Sequence, residues 1–113
     1  MTIENLTAYG ANTKEGLQRC LNNENFYLRM VRMIPGDANF GRLYDAIDAQ
    51  DLDAAFDAAH ALKGSTGNLG LTPIFEPVSE ITELLRKRTV TDYSALVASI
   101  REGRDKLQEI CDS

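Results

Sequence analysis

His60 is the one histidine of the chain, and it stands in Ala58-Ala59-His60-Ala61-Leu62-Lys63-Gly64-Ser65-Thr66-Gly67-Asn68-Leu69-Gly70. At 3.6 residues per turn, His60, Lys63, Gly64 and Gly67 share one helical face. Asp53, Phe56 and Asp57 extend that face toward the N-terminus. Leu52, Ala55, Ala59, Leu62, Thr66 and Leu69 form the opposite, mainly apolar stripe. Imidazole titrates near neutrality, so a ring nitrogen turned away from the core can serve as a nucleophile at neutral pH. Lys63, one turn along, sets an ammonium on the same face. A glycine inside a helix costs about 1 kcal/mol relative to alanine. Gly64 and Gly67, both on the histidine's face, therefore suggest that something comes close there. Residue types alone favour a plainer reading: a surface histidine on an amphipathic helix that glycines loosen toward its end.

A resemblance reverses that preference. His60-Ala61-Leu62-Lys63-Gly64, followed by Asn68-Leu69-Gly70, resembles the H-x-L-K-G…L-G signature of histidine-containing phosphotransfer domains, the phosphoryl carriers of multistep two-component relays. The run from Ala49 to His60 resembles the family's entry into its histidine helix. The resemblance covers Asn23 to Arg88 well and both ends loosely.

The resemblance implies that His60 accepts phosphate through Nε2, that Lys63 reaches the phosphoryl oxygens and that Gly64 leaves the ring uncovered. It implies a carrier rather than an enzyme, with no cofactor or metal of its own. The Mg²⁺ and the phosphoacceptor aspartate belong to the partner, a response-regulator receiver domain, and a hybrid sensor histidine kinase stands upstream. In the family a polar side chain on the next helix holds the second ring nitrogen. By position Thr82 is nearest to that role, with Ser79 one turn earlier. Arg86 is either a second cation for the phosphate or a surface arginine favoured by the helix dipole. Phe56 and Gly67 are expected to meet the partner, although Phe56 can equally pack against a neighbouring helix. Two other classes compete. One is a kinase dimerisation domain, in which each protomer gives two helices. The other is a degenerate adaptor that binds receivers without transferring phosphate. One histidine and two distant cysteines make a bundle metal site a poor fit.

Composition bounds the rest. A chain of 113 residues with 43% hydrophobic content can build one core, and residues 1–113 are expected to form a single domain. A net charge of -5 disfavours nucleic acid and anionic membrane as partners. No apolar run approaches the roughly 20 residues that span a bilayer, and Met1 to Gly10 lacks the apolar centre of a signal peptide. These features predict a cytoplasmic monomer with reduced thiols. Cys20 and Cys111 read as small apolar residues on helix faces.

The elements that position His60 are predicted from periodicity and caps. The expectation is an all-α, antiparallel up-down-up-down four-helix bundle over residues 24–49, 51–69, 73–88 and 91–111, with an additional short helix near 13–21. Residues 1–12 are expected to be loosely ordered, with a helical turn at Ile3 and Leu6. Thr13 is the expected cap of the short helix, whose apolar face is Leu17, Cys20 and Leu21. Phe26, Met30, Met33 and Ile34 supply the next apolar face. At Pro35 either one long helix kinks or two helices meet, and the resemblance favours the kink; the pattern resumes through Phe40, Leu43, Tyr44 and Ile47. Asp51 caps the histidine helix and Gly70 closes it in the left-handed conformation. Thr72 is the expected cap of the third helix, whose stripe is Ile74, Val78, Ile81 and Leu85, with an irregular first turn at Pro77. Thr91 and Asp92 are expected to open the last helix, buried through Leu96, Ile100, Leu107 and Ile110. Gly103 interrupts that stripe without an evident reason.

Overall fold

The computed structural model describes residues 1–113. Its regular elements are all helices: α1 (Ile3–Tyr9), α2 (Thr13–Arg19), α3 (Glu24–Met33), α4 (Ala38–Asp48), α5 (Leu52–Asn68), α6 (Thr72–Arg86) and α7 (Ser94–Asp112).

The histidine helix is α5. The Asp51 carboxylate accepts the Ala54 N–H at 3.1 Å and caps it. It closes at Gly70, whose φ of 69° is open to glycine and strained for other residues. The face buried by α5 is Ala55, Ala58, Ala59, Leu62 and Thr66. That face packs between α4 and α6, and α6 packs in turn on α7. The small alanines let the neighbouring helices approach closely. Ile74, Val78, Ile81 and Leu85 of α6 are fully buried, as are Ile100 and Leu107 of α7. Each such aliphatic side chain contributes roughly 1.5–3 kcal/mol relative to exposure. The two ends of α5 and α6 meet crosswise. Arg88, just past α6, pairs with Asp53 at the start of α5 at 2.6 Å, while Gly67 near the end of α5 lies against Phe75 near the start of α6.

Several sequence expectations are corrected. The kinked helix over 24–49 is two helices, α3 and α4, separated at Pro35–Gly36. Asp37 starts the second by accepting the Asn39 N–H at 2.8 Å, and Arg104 Nε of α7 donates to the Pro35 carbonyl at 2.9 Å, which pins the corner. The buried face of α3 is Tyr27 and Val31, rotated by about one residue, or 100°, from the expected Phe26 and Met30, while Ile34 just past its end is buried as expected. Phe26 and Met33 are 40% and 64% exposed. Tyr27 decides the phase, because its hydroxyl donates at 2.9 Å to the Leu69 carbonyl at the end of α5. Burial pushes that phenol up to about 12. Leu21 leaves the face of α2 and is 89% exposed, its backbone at a φ of 58°.

The N-terminus is a regular helix, not a loose turn. Thr2 and Asn5 form a reciprocal capping box, and Leu6 is fully buried. Asn12, one residue before the expected Thr13, caps α2. Thr72 lies inside α6, which begins after Leu71 without a side-chain cap, and Tyr93 rather than Thr91 precedes α7.

α6 runs unbroken through Pro77. Pro77 has no N–H to give to the Pro73 carbonyl one turn earlier, and α7 packs against that carbonyl at Gly103. A Cβ on Gly103 would stand 2.9 Å from the Pro73 oxygen and 3.1 Å from Ile74 Cγ1. The Gly103 carbonyl in turn accepts the Tyr9 hydroxyl at 2.6 Å, which ties α1 to the same crossing. Gly103 is therefore a close-approach position. Gly103→Ala is expected to lower stability by about 1–3 kcal/mol despite alanine's better helix propensity. Paired thermal and urea melts check this, and an unchanged or raised midpoint would refute the close-approach account.

Candidate functional site

His60 is exposed on α5, opposite the buried face. Its ring stacks on Phe56, one turn earlier, with centroids 5.5 Å apart and planes 19° apart. On the other side, one turn later, Gly64 is bare: a Cβ there would meet nothing within 4 Å. Lys63 is half-buried, and its Nζ lies 3.6 Å from Glu83 Oε1 of α6. Glu83 also accepts from Arg86 Nε at 2.8 Å. That bond first, and the charges of Arg86 and Lys63 after it, hold the Glu83 carboxyl below its ordinary value.

A groove of about 650 Å³ opens beside His60. His60, Lys63, Gly64 and Gly67 line it from α5, and Phe75 from α6. Arg19 of α2 closes its far wall, donating to the Gly67 carbonyl at 2.7 Å and lying 4.0 Å from Glu15. The Asn12 N–H donates to the Gly70 carbonyl at 2.7 Å and locks the start of α2 to the end of α5. These bonds add donors from α2 and its cap to carbonyls that already accept local N–H groups, Gly67 from Gly70 and Gly70 from Thr72.

The expected site residues thus divide. His60, Lys63 and Gly64 come together as expected from their spacing. Gly67 lines the groove but is not open, because a Cβ there would stand 2.7 Å from the Phe75 ring. Arg86 reaches Glu83 and the Phe56 ring, 5.1 Å from its centroid, rather than the groove. Thr82 is a correction. It is fully buried, and its hydroxyl donates to the Val78 carbonyl of its own helix at 2.6 Å. A threonine on an apolar face must bond its hydroxyl somewhere, and the carbonyl four residues back is the nearest acceptor. Thr82 therefore does not face the imidazole.

Sequence reading missed Arg19, Glu83 and Arg88. The Arg88 guanidinium lies 4.9 Å from the Phe56 centroid and pairs with Asp53. The placement of Asp53 and Phe56 on the His60 face was the available signal. Nothing near Arg19 or Glu83 in sequence pointed to α5.

The protein is all-helical, and its single histidine stands exposed on the face of α5 opposite the core, with Lys63 beside it. The family model for the Hpt domain matches residues 36–112, and the chain belongs to that family. Hpt domains carry phosphoryl groups in two-component phosphorelays. The match begins at Gly36, after α3, and takes in the whole of α7, so it is shifted toward the C-terminus from the stretch in which the resemblance is plainest. No curated protein and no solved structure matches the chain.

The glycines around the site differ in what an added methyl meets. Gly64→Ala is expected to stabilise by about 0.5–1 kcal/mol, because the position is helical and open. Gly70→Ala is expected to destabilise by about 1–3 kcal/mol, since its φ is left-handed and its Cβ would run into the Asn12 carbonyl. Thermal melts of the two variants should move in opposite directions, and movement in the same direction would contradict these assignments.

Proposed function

We propose that this chain reversibly accepts a phosphoryl group on His60 from the aspartyl phosphate of a receiver domain and passes it to another response regulator. The observation that carries the reading is the setting of His60: an exposed imidazole with Lys63 beside it and open space over Gly64, inside the segment that matches the Hpt family. In the step, an imidazole nitrogen attacks phosphorus, the aspartyl P–O bond breaks, and an N–P bond forms as the ring proton leaves. Lys63 shifts from Glu83 toward the phosphoryl oxygens as charge arrives. Phosphoryl transfer depends on positioning and charge neutralisation, and the receiver supplies the Mg²⁺ and the aspartate. The chain itself is a carrier with no cofactor or metal of its own. A hybrid sensor histidine kinase is the upstream partner.

The architecture we infer is one domain over 1–113, an antiparallel up-down-up-down bundle of α4 to α7 with α1 to α3 packed on it. The Arg88–Asp53 pair and the Gly67–Phe75 contact, at opposite ends of α5 and α6, support the antiparallel course. We read the chain as a cytoplasmic monomer. No helix is long and apolar enough to cross a membrane, and the net charge of -5 is unsuited to nucleic acid.

His60→Gln should keep its helical circular dichroism and lose all acid-labile, base-stable phosphate. Transfer that persists in this variant would sink the assignment. In the same assay Gly64→Gln should slow transfer while the fold holds, since the longer side chain grows over the ring, and an undiminished rate would defeat the role given to Gly64.

Light scattering at micromolar concentration should give a mass near 12.5 kDa. A stable dimer that still passes phosphate would favour a kinase-dimerisation bundle instead.

A further inference from the structure

The imidazole of His60 is bounded unequally along its helix. Four residues before it, the Phe56 ring lies nearly parallel to it, with 5.5 Å between centroids. Four residues after it, Gly64 leaves space open. The Phe56 ring is itself gripped. The Arg86 and Arg88 guanidiniums lie 5.1 Å and 4.9 Å from its centroid. Each guanidinium is anchored in turn: Arg86 by Glu83 at 2.8 Å, Arg88 by Asp53 at 2.6 Å and by the Leu85 carbonyl at 2.7 Å. Phe56, Arg86 and Arg88 all lie outside the lining of the groove that holds His60, Lys63 and Gly64.

We propose that Phe56 is a positioning residue for His60, whose ring it stacks on so that the in-plane lone pair of the attacking nitrogen is held in one direction. This rests on the phosphotransfer reading. A histidine on an exposed helix face has several rotamers available, and in-line attack needs one of them. Stacking favours one ring orientation, and two anchored guanidiniums keep the phenyl from moving away. The arrangement also orients the ring without Thr82, whose hydroxyl is bonded to its own helix.

The test uses the full-length chain with Phe56→Leu and Phe56→Tyr. One readout needs no phosphate: the upfield ring-current shift of the His60 ring protons by NMR. The other is single-turnover phosphorylation by phosphoramidate, in which the donor P–N bond breaks, an imidazole N–P bond forms, and the ring proton leaves with ammonia. In Phe56→Leu the ring-current shift should be lost and the rate should fall roughly 2- to 10-fold, the range that one aromatic pair supports. Phe56→Tyr should restore both, which a role in packing volume alone does not require. A wild-type shift and rate in Phe56→Leu, or a loss that tyrosine does not restore, overturns the proposal. Should Phe56→Leu fail to fold by circular dichroism, the double variant Arg86→Gln/Arg88→Gln keeps the phenyl and frees it. A partial loss of both readouts supports the proposal and no change in either overturns it. A wild-type chain that takes no phosphate from phosphoramidate or from a phosphorylated receiver counts against the phosphotransfer reading, whereas wild-type ring protons without an upfield shift count against the stack.

Discussion

The packing of α5 between α4 and α6 governs the rest of the molecule. A helix held on both flanks has one free face, and His60 is on it because Ala55, Ala59, Leu62 and Thr66 take the other. The alanines matter as much as the leucine. They bring the neighbouring helices close enough that side chains from α6 reach the histidine's face, as Glu83, Arg86 and Phe75 do. The two buried threonines fit the same constraint. Thr66 and Thr82 each return their hydroxyl to the carbonyl four residues earlier, at 2.7 Å and 2.6 Å, and so face the core without an unmet donor.

The end of α5 is a second junction. Gly70 turns the chain in the left-handed conformation, and carbonyls there accept from Asn12, Arg19 and Tyr27, outside α5. Of the first three helices, α2 with its capping Asn12 thereby closes one wall of the groove beside His60, while Tyr27 of α3 braces the end of α5 from the core. Both helices lie outside the segment that matches the family, 36–112, yet α2 completes the surroundings of its histidine. The fit is tight in both directions, since a Cβ on Gly16 of α2 would stand 2.6 Å from the Leu69 carbonyl.

Charge around the site is arranged in pairs rather than as a bare cationic patch. Lys63 and Arg86 share Glu83, Arg88 holds Asp53, and Arg19 lies beside Glu15. Exposed pairs of this kind add little to stability, typically 0–1 kcal/mol each. Their consequence is geometric: each long side chain is given a place, and Lys63 has a carboxylate from which it can turn to an arriving anion.

Much of this was readable before folding. Period 3.6 separated the two faces of α5, although its buried face is mostly alanine and its contrast is weaker than that of the other long helices, and it likewise found the Ile74, Val78, Ile81 and Leu85 stripe of α6. The Asp51 cap and the Gly70 turn were legible because each rests on the chemistry of one residue. The phase of α3 was not. Phe26-Met30-Met33 and Tyr27-Val31 are both apolar at helical spacing and both run on into Ile34, which is buried as expected; the bond from Tyr27 to Leu69, 42 residues away, goes with the second. Thr82 and Gly103 were misread or unread for a related reason: a hydroxyl's partner and a backbone's nearest neighbour are properties of the space between helices. The sequence by itself determined the histidine helix, its cap, its exposed face and the histidine on it, since these follow from local periodicity and capping. Phe56, four residues earlier on the same helix, belongs to that local pattern, whereas the side chains that come from other elements, Glu83, Arg86, Arg88 and Arg19, were placed around that face by the tertiary structure alone, through the register in which the helices pack.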